Sequence, residues 1–94
     1  MKISNDLLHE LRLLYSALSN GQRSTLTAAI RETNSQIGTT TDSRNYAFLR
    51  KLTDHGLAEE LSLGVDLPVN AGGQLTSFRL SHDAATLIEY LRSR

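Results

Sequence analysis

Ninety-four residues are enough for one domain with a modest core and too few for two, so residues 1–94 are expected to form a single domain. The chain has no cysteine, which excludes disulfide frameworks, thiolate metal sites and cysteine nucleophiles. Its formal net charge is zero, so a nucleic-acid partner would have to be met by local charge rather than by an overall basic surplus.

Local charge is polarised. Residues 20–53 carry Arg23, Arg31, Arg44, Arg50 and Lys51 against Glu32 and Asp42, a net +3. Residues 54–94 carry three arginines against Asp54, Glu59, Glu60, Asp66, Asp83 and Glu89, a net −3. The start, MKISNDLLHE, has polar residues where a signal peptide needs an apolar run, and no stretch reaches membrane-spanning length. A soluble, cytoplasmic protein without a membrane partner is expected. Without Trp and with few aromatics the core falls to Leu, Ile, Ala and Val, and a homodimer would add stability by burying a second apolar face.

In chain order, Leu7, Leu8, Leu11, Leu14, Tyr15 and Leu18 recur at spacings of three and four, which predicts an amphipathic helix from Ser4 to Leu18. Ser4, Asn5 or Asp6 can cap it, and Asn20-Gly21 is the expected stop. Its apolar stripe is wide, so part of it is a candidate dimer surface together with the last helix. A shorter helix is expected over Thr25 to Thr33, capped by Ser24, with Leu26, Ala29 and Ile30 inward. Asn34 to Gly38 reads as a turn, with Ile37 buried as a hook.

Thr39 to Leu57 then reads as a helix with both ends marked. Thr39, Thr40, Thr41 and Asp42 offer side-chain acceptors to its first N–H groups. Gly56 can take the left-handed conformation that closes it, with Leu57 packing back on Leu52. Asn45, Phe48, Leu49 and Leu52 share the inner face. Ser43, Ala47 and Arg50 lie opposite, flanked by Arg44, Tyr46 and Lys51.

After Gly56 the period changes to that of strands: Leu57, Leu61 and Leu63 on one side, then a loop over Gly64 to Gly73, then Leu75 to Leu80 with Thr76, Phe78 and Leu80 on one face. This predicts a two-stranded hairpin with a long tip. Ser81 caps a last helix whose buried stripe is Ala84, Leu87, Ile88 and Leu91.

The stretches FLRKLTDHGLAEEL and FRLSHDAATLIEYL resemble the end of the recognition helix with the first wing strand, and the second wing strand with the following helix, of MarR-like and related small bacterial or phage regulators. The resemblance covers roughly residues 25–91. It implies a mostly α fold with a small β-hairpin, a winged helix-turn-helix of three helices, a two-stranded wing and a C-terminal helix. It further implies a sequence-specific, double-stranded DNA-binding transcription regulator acting as a homodimer through its first and last helices, with a recognition helix at about 42–55. Ser43, Arg44, Ala47 and Arg50 would then face the bases, with Tyr46 and Lys51 nearer the phosphates. Thr40 and its neighbours would donate to phosphate at the helix start, and Arg23 and Arg31 would add affinity.

Three features keep a second partner open. The segment between Ile30 and Asp42 exceeds a tight turn, Asp42 stands where phosphate would pass, and the tip 64–73 carries Asp66 and no Lys or Arg. A winged-helix adaptor or inhibitor that contacts protein, with the loop 64–73 as a contact, is the alternative.

His9, His55 and His82 each adjoin a carboxylate, but consecutive helix residues point about 100° apart and form no chelate or dyad. His55 suits the negative end of a helix. With no nucleophile elbow and no phosphate loop, neither enzyme activity nor a metal or other cofactor is expected.

Overall fold

In the computed structural model, which describes residues 3–32, 34–61 and 75–93, the first helix begins where Ser4 accepts a hydrogen bond from the Leu7 N–H. This helix, α1 (Asn5–Ser16), buries Leu7, Leu11 and Tyr15. The next, α2 (Asn20–Arg31), starts earlier than the expected Thr25. Ser19 Oγ accepts from the Gln22 N–H at 3.1 Å, and Gln22 Oε1 accepts from the Ser19 N–H at 2.9 Å. This reciprocal box satisfies two otherwise unpaired donors, so Asn20-Gly21 opens α2 rather than ending α1.

The larger correction concerns 36–40. The expected turn and helix cap are a strand, β1 (Gln36–Thr40), in which Ile37 and Thr39 are buried while Gln36 and Gly38 face out. Ile37, Thr39 and Thr40 are β-branched and suit a pleated, half-buried surface. The helix α3 (Arg44–Asp54) follows, capped by Ser43, whose Oγ accepts from the Asn45 N–H at 3.2 Å. Asp42 does not cap it; it accepts from Thr40 Oγ1 at 2.7 Å. At its far end Gly56 has φ +74, the Leu57 N–H donates to Leu52 O at 2.8 Å, and the Gly56 N–H donates to Thr53 O at 3.1 Å. Both bonds of the Schellman closure are present, with Leu52 and Leu57 buried as expected.

Strands β2 (Ala58–Leu61) and β3 (Leu75–Leu80) complete an antiparallel sheet of order β1-β3-β2. The sheet thus has three strands, not the expected two, because β1 covers the β3 edge that a lone hairpin would leave open. Since β1 and β2 both run antiparallel to β3, they are parallel to each other with α3 as the only helix between them. Ile37 and Glu60 both stand opposite Phe78, and Ala58 stands opposite Leu80. Opposed residues share a face, so β2 turns Ala58 and Glu60 toward the helices. Leu61, opposite Ser77, falls on the other face, which keeps the expected alternation. Leu57 closes α3 instead of belonging to the strand.

The last helix, α4 (His82–Arg92), is capped by Ser81 and buries Ala84, Leu87, Ile88 and Leu91 as expected. Helices from all four segments and one sheet face share one apolar cluster, in which Leu11, Leu26, Phe48, Leu49, Leu52, Phe78 and Ile88 are wholly inaccessible. Among the described residues no helix is long and apolar enough to cross a membrane. The loop residues 64–73 lie outside the described residues.

Replacing Gly56 by alanine tests the closure of α3. A Cβ there would meet nothing within 4 Å, so only the backbone conformation resists it. Gly56→Ala is expected to lower unfolding free energy by about 1–2 kcal/mol in urea denaturation, whereas a change near zero would show that α3 does not depend on this closure.

Candidate nucleic-acid interface

Burial of Asn45, Phe48, Leu49 and Leu52 fixes which side of α3 faces out. Ala47 is the exposed centre of that side. Arg44 and Lys51, seven residues apart, line its α1 flank, and Tyr46 and Arg50 line its sheet flank. The candidate residues on α3 therefore do converge on one surface, but each flank ties them inward.

On the α1 flank, Arg44 Nη1 donates to Ala17 O at 2.9 Å. Lys51 Nζ pairs with Glu10 Oε2 at 2.6 Å. These two contacts show α1 and α3 running antiparallel, and Tyr15 packs on Phe48 between them with ring centroids 5.8 Å apart. The hydrogen bond and charge of Lys51 hold the Glu10 carboxyl below the ordinary glutamate range.

On the sheet flank, Arg50 Nη2 pairs with Glu60 Oε2 at 2.8 Å. Its guanidinium carbon lies 5.6 Å from the Phe78 ring centroid and 5.8 Å from that of Tyr46, within cation–π range of both. Tyr46 itself meets Phe78 edge-on at 5.9 Å. Arg50 is thus wedged, with its Nε buried and without a hydrogen-bond partner among the described residues, as is Asn45 Oδ1.

Three other candidates stand around the start of α3. Ser43 caps the helix and accepts from Gln22 Nε2 at 3.3 Å, which joins the first turns of α2 and α3. Thr40 is engaged with Asp42. Arg23 lies off the α3 surface: its Nε and Nη2 donate to Tyr15 O at 3.3 Å and Ser16 O at 2.8 Å, and its guanidinium stacks over the Tyr15 ring. Arg31 pairs with another element, Glu89 of α4, at 3.8 Å.

Sequence reading missed the partners of these cations, because Glu10, Glu60 and the carbonyls of Ser16 and Ala17 come from other elements. It also missed the pairing of Arg92, whose Nη2 and Nε both donate to Glu89 Oε2, at 2.7 and 3.1 Å; the i, i+3 spacing on α4 was the available signal. Among the described residues no group of three or more histidines and carboxylates is placed to hold a metal.

The Lys51–Glu10 pair gives a pH-dependent test. A carboxyl whose folded pKa is depressed contributes stability above its unfolded pKa and loses it as pH falls through the folded value. Lys51→Met is expected to return the Glu10 titration midpoint, followed by carboxyl-carbon NMR, upward toward the ordinary range. An unchanged midpoint would mean that Lys51 does not hold Glu10 in solution.

No family model, curated protein or solved structure matches the chain.

Proposed function

We propose that the chain is a winged-helix-type, double-stranded DNA-binding regulator, with the outward side of α3 as its reading surface and β2–β3 as its wing. The observation that supports this most is the set Arg44, Ala47 and Lys51 on a helix whose other face is wholly committed to the core. A small apolar side chain can meet a thymine methyl, and flanking cations can contact guanine or phosphate.

The inward ties do not defeat the reading. Exposed ion pairs are worth about 0–1 kcal/mol, and the Lys51–Glu10 pair is of this kind, so phosphate can displace the carboxylate at small cost. Arg50 is different. Its stacking over two rings and its bond to Glu60 make it a support for the sheet flank rather than a reader of bases. The proposal therefore places recognition on Arg44, Ala47 and Lys51, with Ser43 fixing the helix start. Homodimerisation through α1 and α4 belongs to the same proposal, with the exposed apolar side chains Leu13 and Tyr90 as its candidates.

A second reading, a protein-binding adaptor, has a specific observation in its favour. Glu10 and Glu60 flank α3 on either side, and Asp54 is exposed at its end. A protein partner tolerates such mixed charge better than a phosphate backbone does.

Salt-titrated binding to random-sequence duplex DNA separates the two. The DNA reading expects affinity that falls steeply as salt rises. Ala47→Glu, on an exposed helix position, is expected to change stability by less than about 0.5 kcal/mol and to weaken duplex binding about tenfold or more through charge repulsion. Absence of salt-dependent binding at low ionic strength would overturn the DNA reading in favour of the adaptor.

A further inference from the structure

A basic concavity lies away from the outward side of α3. An open groove of about 640 Å³ runs between α2 and the end of α4, beside the end of α1, and is walled by Arg23, Arg31 and Arg92 with Asn20 and Ser24. Among the described residues no carboxylate lines it. Glu89 stands at its edge, where its Oε2 accepts from both Nε and Nη2 of Arg92, but its Oε1, at 3.8 Å, is beyond hydrogen-bond distance of Arg31. Arg31 is 63% exposed at its side chain and has its donors available to a ligand. Arg23 is the fixed wall, held by the Tyr15 and Ser16 carbonyls and by the Tyr15 ring.

We propose that this groove is an oxyanion site that takes a phosphate group, with Arg31 as its principal donor and Arg23 and Arg92 as its oriented walls. Guanidinium forks match the oxygens of phosphate, and three of them against one edge carboxylate leave a charge that a phosphate balances. The outward side of α3, by contrast, carries Glu10 and Glu60 on its flanks. The phosphate has two possible sources, the backbone of a nucleic acid or a free phosphorylated small molecule, and the same site chemistry serves both. The inference goes beyond the α3 reading and stands or falls separately from it.

The test uses the full chain labelled with ¹⁵N in phosphate-free buffer at constant ionic strength. It is titrated with inorganic phosphate and, separately, with a short random-sequence duplex. Phosphate is expected to shift the amide resonances of Ala28, Arg31 and Arg92 saturably. Arg31→Glu is expected to weaken phosphate binding about tenfold or more, and Arg31→Gln, which keeps a good helix former at that position, to weaken it in the same direction. If the source is a nucleic-acid backbone, Arg31→Gln also lowers the salt dependence of duplex binding by about one counterion. If it is a free phosphorylated molecule, duplex binding is unchanged by Arg31→Gln while phosphate binding is lost. Unsaturable or absent shifts in the groove, or equal phosphate affinity in the wild type and both variants, would overturn the proposal. Phosphate bound in the groove with no duplex binding at all would instead overturn the α3 reading and leave this one standing.

Discussion

The carbonyls at the end of α1 are the constraint around which the helices are arranged. A helix leaves its last carbonyls unpaired, and α1 has no basic residue in its own last turn to answer them. Arg23 reaches over from α2 to Tyr15 and Ser16, and Arg44 from α3 to Ala17. Hydrogen bonds to charged groups contribute about 1.5–3 kcal/mol where they are well formed, and cations at this end also oppose the helix dipole. Two helices are thereby fixed against the end of a third. The Gln22–Ser43 bond ties the starts of the same two helices together, so α3 is held at its first turn as well as along its apolar face.

This arrangement changes what the chain's charge means. The surplus of cations over 20–53 looks like one basic surface in the sequence, but the fold divides it. Arg23 and Arg44 serve α1, Arg50 serves the sheet through Phe78, Tyr46 and Glu60, Lys51 is matched by Glu10, and Arg31 belongs to a separate groove with Arg92. What α3 offers outward is a narrow strip centred on Ala47, with Lys51 exchangeable on its α1 flank and Arg44 shared with the Ala17 carbonyl. Net charge by segment cannot separate a cation that supports the fold from one that meets a partner, since the distinction lies in which carbonyls and rings stand beside it.

Features determined within a few residues were legible in the sequence. The stripes of α1 and α4, the Ser81 cap, and the closure at Gly56-Leu57 all depend on contacts within about two turns. Features determined across the chain were not. The strand β1 is short, and its partner β3 lies some forty positions onward, with Ile37 opposite Phe78; nothing local distinguishes it from a turn with a buried hook. The Ser19–Gln22 box was readable as a start signal, but Asn20-Gly21 resembles a stop and obscured it. For the candidate site, the sequence could place Arg44, Ala47, Arg50 and Lys51 together on α3. It could not show that the pairing of β2 with β3 would bring Glu60 to Arg50.

The proposed contact between the outward side of α3 and duplex DNA is open to direct measurement. Hydrogen–deuterium exchange on the full chain, with and without random-sequence duplex at low ionic strength, tests it most directly. Exchange is expected to slow over residues 44–54 when duplex is added, with the slowing lost as salt is raised. Duplex binding that leaves residues 44–54 unchanged, or no change anywhere in the chain, would contradict it.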